Sequence, residues 1–183
     1  MANGHIYPEL AGAKVGEDYR QRKILYWNLR NGAFRDITKE GGGTLSAPRV
    51  SRGVTVGDLD GDGAPEILIV NMNEPPSLLK NFAPKGNAIL IEMVGTKSNR
   101  SAIGARITVT TGTLRQTDEV HSGGSYASQS DFRLHFGLGS AERVDKIEIR
   151  WPSGVVEKLS NVAAGQCIRV REGDGIVKTT AFR

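Results

Sequence analysis

The densest run of chemistry-bearing side chains is Asp58-Leu59-Asp60-Gly61-Asp62-Gly63-Ala64-Pro65-Glu66, in which carboxylates recur at alternate positions up to a glycine. Aspartates held this close on a tight loop repel one another unless a cation lies among them. The ion that suits them is hard and takes about six to eight oxygen ligands, which describes calcium better than magnesium, since magnesium keeps most of its waters. With Asp58 as first position, Asp60 and Asp62 are third and fifth, Gly63 is sixth where the chain must turn, and Ala64 is seventh, where a backbone carbonyl donates. The carboxylate of Glu66 arrives ninth, binding directly or through a water. The expected calcium ligands are therefore Asp58, Asp60, Asp62, Ala64 and Glu66.

An EF-hand would place a bidentate glutamate at the twelfth position, but Ile69 stands there inside the apolar run Glu66-Ile67-Leu68-Ile69-Val70-Asn71. Both flanks read as strands, so the pattern is a strand-loop-strand site of the type D-x-D-x-D-G-x-x-D with Glu66 in the last place. The competing reading is an Asp-Gly hairpin turn that binds nothing.

Other reactive groups form weaker patterns. Ser122 or Ser125 could be set beside His135 and Asp131 as a nucleophile, base and orienter, yet no G-x-S-x-G elbow accompanies them. Histidine occurs only at 5, 121 and 135, without a cysteine or second histidine at ligand spacing, which argues against zinc or iron. The one cysteine, Cys167, lies in the alternating stretch Gln166-Cys167-Ile168-Arg169-Val170 and reads as a packed thiol. Asn99-Arg100-Ser101 has the form of a glycosylation acceptor. Tyr126, Arg133 and Trp151 could line a contact surface for a glycan or a protein, although aromatic residues in short-stranded domains mostly fill cores.

The elements that must position the loop are strands. Ile24-Leu25-Tyr26-Trp27-Asn28 turns at Asn31-Gly32 into Ala33-Phe34-Arg35-Asp36-Ile37-Thr38, with Phe34 and Ile37 expected to face a core. Gly53-Val54-Thr55-Val56-Gly57 enters the acidic loop and Glu66 to Asn71 leaves it, so residues 24–71 read as a four-stranded antiparallel meander. Residues 1–23 read as a long loop, and the stretch from Asn73 to Asn87, broken by three prolines, as a connection between domains. Seven further strands are expected at 88–94, 105–111, 114–121, 133–137, 146–151, 155–159 and 166–171, which fits a compact β-sandwich or barrel. The reading is all-β, with 1–86 as the first unit, 87–172 as the second and 173–183 as a tail.

Charge is balanced, 24 basic against 20 acidic residues without blocks of one sign, and the cluster Lys97, Arg100 and Arg106 lacks stacking aromatics, which argues against a nucleic-acid partner. No apolar run is long enough to cross a membrane as a helix, so no membrane insertion is expected.

The stretch Arg52 to Asn71 resembles an FG-GAP or VCBS repeat, the blade unit of integrin-like β-propellers, and Leu25 to Thr38 resembles the hairpin preceding the loop in such repeats. About one propeller-type blade is thereby implied, with calcium at the positions already derived. Gly95-Thr96-Lys97-Ser98-Asn99-Arg100, Ile103-Gly104-Ala105-Arg106, Ser122-Gly123-Gly124-Ser125-Tyr126, Arg133-Leu134-His135-Phe136-Gly137-Leu138-Gly139 and Ile149-Arg150-Trp151-Pro152-Ser153-Gly154 together resemble the ASPIC/UnbV domain. Domains of that kind follow the propeller in secreted proteins of the cartilage acidic protein type.

Because one blade cannot bury both its faces, either the chain is a part of a longer protein or its lone blade packs on the C-terminal domain, and Asn3-Gly4-His5-Ile6-Tyr7-Pro8, which looks like the end of a preceding blade, favours the first. The resemblance implies a calcium-binding, non-catalytic module of an exported protein, extracellular or periplasmic, meeting a glycan or protein at a cell surface or matrix. The alternative it leaves open is an auxiliary or tailoring enzyme of a bacterial natural-product pathway.

Overall fold

In the computed structural model the described residues are 1–10, 18–29, 31–83 and 86–183. Parts of the long-loop reading of 1–23 and of the expected connection therefore lie outside the described residues, at 11–17 and at Pro84 and Lys85. The chain divides into two compact units, one of 1–56, 67–80 and 123–129, the other of 57–66, 81–122 and 130–183.

The first unit holds the antiparallel hairpin of β1 (Tyr26–Asn28) and β2 (Phe34–Asp36), the four-residue helix α1 (Gly43–Ser46) and a three-stranded sheet of β3 (Ser51–Gly57), β4 (Glu66–Asn71) and β5 (Glu74–Leu79). The four strands expected over 24–71 are all present, distributed between these two sheets. Phe34, expected to face a core, is 63% exposed, because a two-stranded ribbon has no second layer to bury its faces. β5 occupies part of the stretch read as a connection. Its Pro75 and Pro76 are tolerated because β5 is an edge strand and its pairing with β4 shifts register between Ile69 and Asn71. A buried polar link ties the sheet: Ser51 Oγ donates to Asn71 Oδ1 at 2.8 Å, and Asn71 Nδ2 donates to Ser77 Oγ at 3.0 Å.

The second unit is a β-sandwich. One sheet has the order β11-β6-β14-β15, built from β6 (Asn87–Val94), β11 (Leu134–Gly139), β14 (Gln166–Arg171) and β15 (Gly175–Ala181). The other has the order β13-β12-β7-β8, built from β7 (Arg106–Thr111), β8 (Leu114–Glu119), β12 (Arg143–Arg150) and β13 (Val156–Ala163). Two short strands, β9 (Gly124–Ser125) and β10 (Ser128–Gln129), pair with each other in the segment that belongs to the first unit. All seven strands expected beyond residue 87 are found in the sandwich, and β15 is its eighth, from residues read as a tail. It was illegible because an edge strand with exposed side chains carries no alternation.

Alternation dictates the core of this sandwich. Ile89, Ile91 and Met93 of β6, Leu134, Phe136 and Leu138 of β11, and Ile168 and Val170 of β14 meet Ile107 and Val109 of β7, Val144, Ile147 and Ile149 of β12, and Val162 of β13. Trp151 is 3% exposed and packs into the same cluster, so it belongs to the core and not to a contact surface. Residues of intervening register face the other way. His135, Leu90, Cys167 and Thr180 are paired in sequence across β11, β6, β14 and β15, forming one row on the outer face of the first sheet. That row carries the site.

Candidate metal centre

The acidic loop joins β3 to β4 and folds as part of the second unit. Its turn depends on two residues in the left-handed region, Gly61 at φ 76 and Gly63 at φ 81. At Gly63 a Cβ would also collide with the Phe182 ring, so glycine is required twice over. Asp58, 5% exposed, folds the loop around its own carboxylate: Oδ1 accepts the N–H of Gly61 at 2.8 Å and of Asp62 at 3.1 Å, and Oδ2 that of Gly63 at 3.1 Å.

Ligand atoms of Asp58, Asp60 and Glu66 lie within 4.8 Å of one another, a spacing that one cation can bridge. The spacing argument thus brings three of its five residues together. Asp62 Oδ1 accepts the Ala64 amide hydrogen at 2.8 Å, and Ala64 is buried. Glu66 closes the loop, its Oε2 accepting the Leu59 N–H at 2.9 Å. Its Oε1 is buried without a hydrogen-bond donor, in a residue 4% exposed. A buried carboxylate oxygen with no donor is costly, and a bound cation would remove that cost. The donor set is entirely oxygen, as a hard divalent ion requires.

Three groups outside the loop hold its backbone. Arg133 Nη2 donates to the carbonyl of Asp58 at 2.7 Å, His135 Nε2–H to that of Gly63 at 2.8 Å, and the Arg183 amide to that of Gly61 at 2.9 Å. Arg133 is itself fixed by Asp131, whose Oδ2 lies 2.7 Å from Nε and whose Oδ1 accepts the Arg133 amide at 2.9 Å. The bond to Asp131 raises the guanidinium pKa above its ordinary value. Asp58, Asp60, Arg133, Cys167, Thr180 and Phe182 are among the residues lining a cleft of about 280 Å³ beside the loop. Burial pushes the Cys167 thiol up, against the opposing pull of Arg133, so it stays protonated at neutral pH.

The remaining candidates have other work. His135 and Asp131, drawn above into a serine-histidine-aspartate arrangement, hold Gly63 and Arg133, and Ser125 Oγ accepts the Val54 amide at 3.1 Å. Asn99 uses both ends of its amide on Ile103, donating to its carbonyl at 2.8 Å and accepting from its N–H at 2.9 Å. Tyr126 is 73% exposed.

Spacing gave no hint of Glu172, a buried carboxylate where two motif segments converge. Its Oε2 accepts the successive amides of Thr96, Lys97 and Ser98 at 2.8, 2.8 and 2.7 Å, while Oε1 accepts the hydroxyls of Ser98 and Ser153 at 3.0 and 2.5 Å. Burial pushes this carboxyl up, but the hydrogen bonds from Ser153, Ser98 and Thr96 together overcome it and hold the pKa at about 2. Its role is to lock the loops of the sandwich. The signal was available only as the repeated Thr-Lys-Ser amide donors of Gly95 to Arg100, whose acceptor lies far along the chain.

Residues 95–177 match the family described as ASPIC and UnbV, and residues 3–69 match the FG-GAP-like repeat. The second match contains the acidic loop; the first contains Arg133, His135 and Glu172. None of the curated proteins compared with the chain matches it.

Proposed function

For a chain that carries an FG-GAP-like repeat and an ASPIC/UnbV domain, we propose that the loop from Asp58 to Glu66 binds one calcium ion as a structural staple. The observation that carries this reading is the buried, donorless Oε1 of Glu66 within reach of Asp58 and Asp60. Asp58, Asp60 and Glu66 would supply side-chain oxygens, Asp62 and the Ala64 carbonyl completing the set. When bound, the ion supplies charge neutralisation and a fixed loop. The residues do the rest: Asp58 gathers three loop amides, and Glu66 closes the turn onto Leu59.

Domains of these two kinds are typical of extracellular or periplasmic, non-catalytic binding modules, and no helix among the described residues is long and apolar enough to cross a membrane. The function we infer is recognition of a glycan or protein at a cell surface or matrix by a calcium-stiffened β-module. Titration calorimetry of the 183-residue chain with calcium chloride, with magnesium chloride as comparison, tests the metal. Saturable heat with calcium at one ion per chain supports it; no heat with either ion refutes it. A glycan array probed in calcium and in chelator tests the recognition.

A further inference from the structure

We infer that Arg133 and His135 are positioning residues for the metal loop, so that the opening of β11 sets calcium affinity in the loop between β3 and β4. The inference rests on the calcium reading above and extends it to residues that touch no metal ligand atom.

Restraint is the first argument. The carbonyls of Asp58, Gly61 and Gly63 are each held by a donor from outside the loop, Arg133, Arg183 and His135 respectively. In the loop so held, ligand atoms of Asp58, Asp60 and Glu66 lie within 4.8 Å of one another. A nine-residue loop free of such pins would have to lose its conformational freedom when the ion arrives, and affinity would fall by that amount. Pinned from outside, the carboxylates are already gathered.

Chemistry is the second. His135 stands on the outer face of its sheet because Leu134 and Phe136 take the core, and only its Nε2–H tautomer donates to a carbonyl. Arg133 would place a positive charge beside an incoming cation, but Asp131 pairs with it at both Nε and Nη2. The pair thus delivers a donor to the Asp58 carbonyl with little net charge. Outer partners of this kind, which orient ligands without binding the ion, alter metal affinity by about 10- to 100-fold when removed.

The test is calorimetric calcium titration of wild type, His135→Leu, His135→Gln and Arg133→Met, with melting curves in chelator. The expected result is a dissociation constant weakened about tenfold or more in His135→Leu and Arg133→Met, with His135→Gln recovering most of it because its amide also donates. Melting temperatures in chelator should move less than those in calcium; equal shifts in both would assign the residues a merely structural role and overturn the inference. Independently of any variant, calcium added to wild type should shift the ring-nitrogen resonances of His135 and leave those of His121 in place, and an unmoved His135 would also overturn it. If wild type itself gives no calcium heat, the calcium reading falls and this one with it. If wild type binds and the variants bind equally, only the positioning role falls.

Discussion

Glu66 accepts the Leu59 amide hydrogen through Oε2 at 2.9 Å, and its second oxygen, buried 4% exposed among acidic neighbours, has no donor. One half of the side chain therefore shapes the turn, and the other half is the observation on which the calcium proposal rests.

Calcium should raise the thermal midpoint of the chain, since a ligand that binds only the folded state stabilises it by about 2.7 kcal/mol at a hundred times its dissociation constant. Asp60→Ala should remove that increment while changing the midpoint in chelator little, because Asp60 is exposed. Superimposable melting curves in calcium and chelator would contradict this.

Gly63→Ala should destabilise the fold by about 1–2 kcal/mol from left-handed backbone strain, and more from the collision with Phe182. Urea unfolding measures the loss. A variant as stable as wild type would show that the turn at φ 81 is not needed.

Glu172 gives the sandwich an acid-sensitive lock. Its folded pKa of about 2 lies below the ordinary 4.5, so its contribution is complete above the unfolded value and fades as pH falls from about 4.5 towards 2. Glu172→Gln should lower the urea midpoint at pH 6, and the gap to wild type should narrow steadily as pH falls from about 4.5 towards 2. A gap independent of pH over that window would assign the lock to packing alone.

Ile147, fully buried in β12 between β7 and β13, should cost about 2–5 kcal/mol as Ile147→Ala, through lost burial and a residual cavity. Chemical denaturation would detect it, and a loss below 1 kcal/mol (roughly the cost of deleting one methylene) would place the core elsewhere.

The strands of the sandwich were legible because Ile107, Val109, Ile147, Ile149, Ile168 and Val170 alternate with polar residues, and turn residues punctuate them. The acidic cluster was legible too, since a turn fixes which neighbours meet, and Asp58, Asp60 and Glu66 do meet. β5 was hidden by its prolines and β15 by its exposure, each a consequence of lying at an edge. The groups that hold the loop were hidden for another reason. Arg133 and His135 stand 75 and 72 residues from the carbonyls they hold, and no local pattern reports a contact made by sheet packing.

β14 runs parallel to β6 and lies between it and β15, with Arg169 Nε reaching Glu92 Oε2 across a separation of 77 residues. Such pairing cannot form early. The central strand of the first sheet must remain without one neighbour until the 77 residues that separate the paired positions have been made. Closing so distant a contact makes folding slow compared with a local hairpin, and the apolar stretch Ile89-Leu90-Ile91 is exposed to self-association in the interval.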